Sequence, residues 1–228
     1  MNKILKTKNI KLILQFYGFP IIIICVLIFL SVSTSSFLTV RNIMSLLHSS
    51  APIIITASGL ALVVMSGNID ISIGSITFLS STVAAVLIVR MGLSPWIAVP
   101  LIFLTGAACG AITGFVVTKL KVNPLIASMG MLFIVRGLAL RLTEGRVISL
   151  PDSFRNFGNM RIGPVYVDVI IALLFIWFVY VLHTKTSFGR NIMAIGNDKH
   201  AAQTIGVNTD RVLFSAFVLS GLFASIGG

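Results

Sequence analysis

Seven long apolar runs, separated by short polar stretches, dominate the pattern of this chain. Each run approaches or reaches the roughly 18 to 20 residues that an α-helix needs to cross a bilayer. The pattern therefore predicts an all-α polytopic membrane protein with about seven transmembrane helices. The predicted spans are Leu12–Val32, Ile43–Met65, Ile76–Val89 (beginning as early as Ile71), Trp96–Thr118, Pro124–Leu142, Val165–His183 and Val212–Gly228.

Composition strengthens this prediction. The chain is 57% hydrophobic and only 10% charged, whereas a soluble domain is about a quarter charged. Its net charge of +11 suits anionic headgroups beside membrane spans. No basic stretch is interleaved with aromatic residues as a nucleic-acid groove requires, so membrane lipid is the expected contact and nucleic acid is not.

The basic residues also predict an orientation. Four lysines precede the first apolar run, no cleavage site follows it, and further spans come later, so an uncleaved first helix with its N-terminus inside is expected. Six crossings then put ten basic residues inside and six outside. The inside set is Lys3, Lys6, Lys8, Lys11, Lys119, Lys121, Lys185, Arg190, Lys199 and Arg211; the outside set is Arg41, Arg90, Arg141, Arg146, Arg155 and Arg161.

The polar segment 184–211 lies on the cytoplasmic side in this topology. Its short apolar pieces, broken by glycine and asparagine, predict two short helices outside the membrane. An ordered helix pair between two spans indicates a surface for a partner. The expected breaks and caps are Gly189 and Gly196 in the first helix, Asn197 or Asp198 before the second, Gly206 after it, and Asn208 or Thr209 before the next span.

A run of small residues predicts close helix packing. Gly106, Gly110 and Gly114 form GxxxGxxxG on one face of the fourth span, and this spacing lets backbones approach closely in lipid. Contact within the chain and a seam between two copies are both compatible with it. The seventh run repeats the theme with Ser220, Ala224 and Gly228.

Three polar residues stand out against the apolar runs. Asp70 either lies at the membrane interface in a structural role or belongs to a gate. Arg136, near the middle of the fifth span, makes a structural pair, reaches to the interface or contacts solute. Asn123 before Pro124 is first of all the start of a helix.

Motifs for chemistry are missing from the sequence. It has no GxxxxGK[ST], HExxH or GxSxG with plausible partners, and His48, His183 and His200 have no second ligand at metal-binding spacing. Cys25 and Cys109 lie singly in apolar runs. We therefore expect no catalytic residue, no metal site and no cofactor in this chain; if it moves solute uphill with ATP, another subunit must hold the ATP and Mg²⁺.

Four stretches resemble the ribose-type (simple-sugar) permeases of ABC importers. The polar stretch 66–75 resembles their Gly-Ile-Asp-Leu-Ser-Val-Gly signature, with Asn68 where glycine is usual. Residues 123–137 are similar to the next element of the family. Thr186 to Val207 resembles the family's cytoplasmic loop very closely, and Ser220 to Ala224 is similar to the start of the following helix.

The resemblance implies a set of partners and sites. Such a permease pairs with a second copy, as a homodimer or heterodimer, binds ABC ATPase subunits and receives a monosaccharide, such as a pentose, from an extracytoplasmic solute-binding protein in the bacterial inner membrane. The ATPase-coupling residues would be Gly189, Arg190, Ala194, Gly196, Asn197, Ala201, Ala202, Gly206 and Val207. The pathway or gate residues would be Asn68, Asp70, Ser72, Asn123 and Arg136.

Alternatives remain at this point. Nucleosides or another small polar solute are possible cargoes, and an ATP-independent channel or carrier is a possible mechanism. Few buried acids are present for ion coupling, which argues against a carrier. Complete permeases of this kind have roughly eight to ten spans, so residues 1–228 are expected to form one permease domain that is incomplete at its C-terminus.

Overall fold

The structure is a computed structural model that describes residues 2–152, 156 and 158–228, with side chains from Tyr17 onward. It is built almost entirely of helices. The elements are α1 (Asn2–Ser33), α2 (Val40–Met65), α3 (Ile73–Ala85) continued by a π-helical turn (Val86–Arg90), α4 (Pro95–Thr118), α5 (Pro124–Thr143), β1 (Arg161–Ile162), β2 (Val165–Tyr166), α6 (Val167–Lys185), α7 (Ser187–Asn197), α8 (Lys199–Thr204) and α9 (Thr209–Gly227).

Membrane-spanning character is confirmed for most of these helices. Within the described residues, six are long and apolar enough to cross a bilayer: α2, α3 with its π-helical turn, α4, α5, α6 and α9. Tyr17–Ser33 of α1 is a shorter apolar helix. The predicted all-α polytopic fold is therefore confirmed.

The chain divides into two compact units, Met1–Leu46 and Leu47–Gly228. In the first unit, Asn42 fixes the start of α2. Its side-chain amide donates to the Phe37 carbonyl over 2.8 Å, and its backbone N–H donates to Thr39 Oγ1 over 3.3 Å. Arg155, which was counted on the outside, lies outside the described residues.

The second unit is organised around the antiparallel pair α4 and α9. Gly106 lies against Gly221 and Ser225, and Gly110 lies against Phe217, which is fully buried. A Cβ added to either α4 glycine would overlap the α9 backbone or side chains. Because glycine has no side chain, the two helices approach closely enough for backbone-to-backbone contact. Gly114 lies on the same face of α4, and a Cβ added to it would lie 3.1 Å from the Phe217 Cβ.

Helices α3 and α5 pack against this pair. Ile76 and Leu79 of α3 share a buried cluster with Val135 and Ala139 of α5. At the far end of both helices, Arg90 Nη1 donates to the Leu142 carbonyl over 2.8 Å. The two helices are thereby joined along their length.

Some boundaries differ from those that the pattern predicts. Helix α6 begins at Val167 rather than Val165, because Val165 and Tyr166 pair with β1 in a short antiparallel hairpin. Two-residue strands have no periodicity to read. Helix α9 begins at Thr209, three residues before the expected Val212, since its first turn is polar.

A side-chain cluster joins α2 and α6 beside the hairpin. His48 Nδ1 lies 2.6 Å from Asp168 Oδ2. The His48 ring stacks on Tyr166 with centroids 4.1 Å apart, and the Arg161 guanidinium lies 4.0 Å from the centroid of the same Tyr166 ring. We call this side of the second unit the hairpin end, and the opposite side the α7–α8 end.

Candidate functional site

The predicted pair of short helices is present as α7 and α8. Thr186 fixes the entry: its Oγ1 accepts from the Gly189 N–H over 3.2 Å and donates to the Leu182 carbonyl of α6. The turn between α6 and α7 is very tight, because a Cβ on Gly189 would overlap the His183 backbone. The Thr186 hydroxyl therefore bonds both to the last turn of α6 and to the first turn of α7.

Gly189 and Gly196 do not interrupt the first helix, and that expectation was wrong. Both lie inside α7, which runs unbroken from Ser187 to Asn197. Each glycine instead permits a close contact, Gly189 with His183 and Gly196 with Met65 at the end of α2. Glycine weakens an isolated helix only modestly, and tertiary packing offsets that loss here.

Helix α7 is strongly amphipathic. Ile192 and Ile195 are buried in the cluster that contains Leu213 and Phe217 of α9. On its outer face, Arg190 and Met193 are exposed. The inner face anchors the helix to the membrane-spanning bundle, and the outer face is left without a partner among the described residues of the second unit.

Helix α8 has a defined start and end. Asp198, one of the two expected caps, is the residue used: its Oδ1 accepts from the N–H groups of His200 at 2.8 Å and Ala201 at 3.0 Å. Gly206, with a φ of +86°, follows the end of the helix, in the left-handed conformation that glycine adopts readily. Asn208 then caps α9 by accepting from the Arg211 N–H over 3.1 Å.

An exposed surface results, which we call the docking face: Arg190, Met193, Asn197, Lys199, His200, Ala201, Gln203, Ile205 and Gly206. Ile205 is 75% exposed and Met193 is 39% exposed. Two apolar side chains thus stand among polar and basic ones, which is the composition of a protein-binding surface rather than of a lipid-facing one.

The predicted coupling residues divide into two groups. Arg190, Gly196, Asn197, Ala201 and Gly206 are exposed. The others hold the helix pair in place: Gly189 and Ala202 are buried, and Ala194 and Val207 are half-buried.

The α7–α8 end also carries an ion pair. Lys121 Nζ lies 2.8 Å from Asp210 Oδ2 and 2.9 Å from Asp210 Oδ1. The loop between α4 and α5 therefore meets the first turn of α9. An exposed ion pair of this kind stabilises the fold by no more than about 1 kcal/mol. It shows chiefly that Lys121 lies at the same end of the second unit as the docking face.

The predicted gate residues Asn68, Asp70 and Ser72 lie in a non-helical stretch between α2 and α3. Asn68 follows α2 and donates from its amide to the Ser66 carbonyl over 3.0 Å. Asp70 lies just before α3, where its Oδ1 accepts from the Ser72 N–H at 2.9 Å and the Ser72 hydroxyl at 2.6 Å. Asp70 and Ser72 are buried.

The outer end of this stretch lies beside α7. At the end of α2, the Met65 carbonyl is in contact with Gly196. Pro52 lies about 20 Å away along α2, at 1.5 Å per residue. The Pro52 carbonyl is 2.7 Å from the position of a Cβ on Gly227, so the end of α9 lies toward the hairpin end from Met65.

The other end of the stretch between α2 and α3 lies closer to the level of Pro52. Gly228 meets the Thr77 carbonyl of α3, so Thr77 and Pro52 are roughly level. Helix α3 begins one turn earlier at Ile73, so the chain from Met65 to Ile73 returns about 14 Å into the bundle. Extended backbone covers about 3.3 to 3.6 Å per residue, so the residues between Met65 and Ile73 are enough to cover this distance. We call Ser66–Ser72 the re-entrant segment.

Asn123 and Arg136 occupy different surroundings. Asn123 is exposed and caps α5, accepting from the Leu125 N–H over 2.9 Å. Arg136 is exposed midway along α5, with its guanidinium 5.8 Å from the Phe78 ring centroid. Among the described residues, Arg136 has no carboxylate within 4.0 Å.

Sequence reasoning missed the His48–Asp168–Tyr166 cluster. These residues come from elements about 120 positions apart along the chain, and no local pattern joins them. Across the part of the chain that the structure describes, no group of three His, Cys, Asp or Glu residues is placed to hold a metal ion.

Comparisons with known proteins agree on one family. Residues 42–228 match the model described as "Branched-chain amino acid transport system / permease component". The chain is 32% identical to the autoinducer 2 import system permease protein of Photorhabdus luminescens, over 91% of this chain and 63% of that protein. It is 33% identical to the ribose import permease protein of Escherichia coli K12, over 87% of this chain and 63% of that protein.

A third relative is the ribose import permease protein of Bacillus subtilis 168, at 34% identity over 93% of this chain and 66% of that protein. The chain thus spans a little under two thirds of the length of these relatives. No solved structure matches it. Since the family model matches most of the chain, from α2 through the docking face to α9, the chain belongs to the branched-chain amino acid transport system permease family.

Proposed function

We propose that this chain is the membrane subunit of an ABC importer, in which a separate ATPase subunit drives the uptake of a monosaccharide delivered by an extracytoplasmic binding protein. The observation that carries the proposal is the docking face. Two capped helices hold exposed Met193 and Ile205 outside the spans. Such a rigid, partly apolar surface suits a protein that transmits force.

The proposed orientation puts the N-terminus and the docking face in the cytoplasm of a bacterial cell, with the protein in the inner membrane. The excess of basic residues supports this orientation. Lys121, counted on the inside, pairs with Asp210 at the α7–α8 end. Arg90 and Arg161 were counted on the outside. Arg90 lies near the end of α5, where it bonds to Leu142, and Arg161 lies in the hairpin.

The solute is proposed from the relatives. Two of those named above are ribose import permeases and one is an autoinducer 2 import permease. A pentose or similar monosaccharide is therefore the first candidate, and nucleosides or other small polar solutes are the competitors to include in any uptake assay.

The solute pathway is proposed to run along the exposed face of α3 and α5, between two copies of the chain. An arginine at the centre of a lipid-facing helix costs about 2.5 to 3.5 kcal/mol on insertion scales. Arg136 lies there without a carboxylate partner among the described residues, so water or the second copy must solvate it. Gly137, the next residue along α5, has nothing within 4 Å of an added Cβ.

The mechanism follows from this division of parts. ATP and Mg²⁺ bind the ATPase pair, whose closure moves the docking face. Because Ile192 and Ile195 are buried against α9, displacement of α7 is expected to move the spans with it. The displacement shifts the pathway from one side of the membrane to the other.

Copurification with the ATPase subunit of a sugar importer from the same genome tests the proposal. Ile205→Asp, in the docking face, is expected to abolish association, because it buries a charge in the interface. Ile162→Asp is the matched control: Ile162 is similarly exposed, at 66%, but lies in the hairpin. An Ile205→Asp protein that copurifies as well as the control would contradict the assigned docking face.

A channel or ATP-independent carrier is the competing function. It predicts that no ATPase copurifies with the unsubstituted protein and that solute flux is the same with and without ATP. Either result would remove the ABC assignment.

A further inference from the structure

The re-entrant segment touches the docking helices backbone to backbone. A Cβ on Gly67 would lie 3.5 Å from the Gly196 Cα, and a Cβ on Gly196 would overlap the Met65 carbonyl. No side chain separates α7 from the end of α2 at this point. Packed contacts of this kind transmit displacement, because protein interiors compress little.

The inner end of the segment lies at the buried start of α3. Both hydrogen bonds that the Asp70 carboxylate accepts come from Ser72, two residues later. Its second oxygen, Oδ2, is buried and has no hydrogen-bond partner among the described residues. A buried acceptor left unpaired destabilises the conformation in which it occurs.

The segment between these ends lies outside both α2 and α3. Residues 68–72 belong to no helix, and Ile69 is 55% exposed. Non-helical backbone at membrane depth is tolerated where it is covered by protein or lines a water-filled cavity. If the segment changed from being covered by protein to lining a water-filled cavity, water would give Oδ2 of Asp70 the hydrogen-bond partner that it lacks.

We propose that the re-entrant segment is the moving link that converts displacement of α7 into opening of the solute pathway, and that Asp70 becomes hydrated in the open state. This inference rests on the proposed transport function. Asp70 Oδ2 then accepts hydrogen bonds from water or from hydroxyl groups of the passing solute. The segment and α3 move together, since Ser72, which donates to the Asp70 carboxylate, directly precedes the first turn of that helix.

Substitution at the contact between α7 and α2 tests the link in the assembled transporter. Gly196→Ala inserts a methyl group where a Cβ overlaps the Met65 carbonyl, so we expect uptake to fall about tenfold while ATPase association and ATP hydrolysis persist. Gly130→Ala is the control, because nothing lies within 4 Å of its added Cβ. Unchanged uptake would overturn the link, as would equal losses of association and uptake. If the unsubstituted chain binds no ATPase, the transport proposal itself has failed.

A labelling measurement does not depend on how well Gly196→Ala folds. Ser72→Cys and Ser128→Cys are made separately in a Cys25→Ala, Cys109→Ala background and treated with a water-soluble maleimide. Both serines are fully buried, but Ser128 lies on α5, outside the segment. We expect trapping with ATP and vanadate to raise the labelling rate at position 72 several-fold and not at 128. Equal rates at position 72 in both states, or equal rises at both positions, would refute the inference.

Discussion

Single polar side chains set the ends of the helices at the α7–α8 end. Thr186, Asp198 and Asn208 each accept hydrogen bonds from the backbone N–H groups of the following turn. The first four N–H groups of an α-helix have no acceptor within the helix. These groups are a large share of a short helix, so short helices depend strongly on caps. Helix α8, from Lys199 to Thr204, is the shortest α-helix in the described part of the chain.

Removal of the α8 cap is expected to loosen that helix. Asp198→Ala deprives the His200 and Ala201 N–H groups of their acceptor, which costs about 0.5 to 2 kcal/mol. Hydrogen exchange of residues 199–204 should accelerate, and ATPase association should weaken. Asp198→Asn keeps an acceptor and removes the charge, so it should behave like the unsubstituted protein. Equal exchange in both variants would show that the charge, not the cap, matters.

Arg136 is the second residue with a sharp expectation. We expect Arg136→Gln to lower uptake about tenfold, since a charge-assisted hydrogen bond contributes about 1.5 to 3 kcal/mol. Arg141→Gln, on the same helix near its exposed end, is the control. Uptake by the purified, reconstituted transporter measures both. Equal activity of the two variants would place Arg136 outside the pathway.

At the residue scale, local chemistry was predictable and distant contact was not. Asn123 with Pro124, Gly206 and Asn208 have the positions that cap and turn preferences indicate. The burial of Asp70 was not predictable, because a polar stretch between two spans has the same sequence pattern whether it lies in water or folds back into the bundle.

At the scale of helices, α4 and α9 depend on their glycines. Gly110→Ala would force a methyl group into the Phe217 backbone. Overpacking of this kind costs about 1 to 3 kcal/mol, so the apparent Tm in detergent should fall by several degrees. Gly130→Ala adds the same methyl group in open space and should leave the Tm unchanged. Equal melting temperatures for the two variants would mean that α4 and α9 are not closely packed.

Hydrophobic periodicity located the spans but not every role of glycine. The apolar runs alone place α2, α4, α5 and α6 within a few residues. Gly189 and Gly196 were expected to break α7, because sequence shows helix propensity but not the backbone that lies opposite. The β1–β2 hairpin was missed because strands of two residues have no alternation.

On the scale of the whole molecule, three surfaces of the second unit would act together in transport. The docking face would receive force, the re-entrant segment would transmit it, and the face bearing Arg136 would contact solute. Gly196 and Met65 connect the first two, and α3 connects the second to Phe78 beside Arg136. The family match from residue 42 to residue 228 contains all three.

Uptake of radiolabelled ribose into proteoliposomes tests directly whether this chain couples a separate ATPase to solute movement. The vesicles contain the transporter assembled from this permease and its ATPase, and the binding protein is added to the solute side. We expect accumulation that requires ATP hydrolysis, the binding protein and an intact docking face, and that Ile205→Asp abolishes. Accumulation without ATP, or undiminished in Ile205→Asp, would contradict the claim that this chain couples a separate ATPase to solute movement.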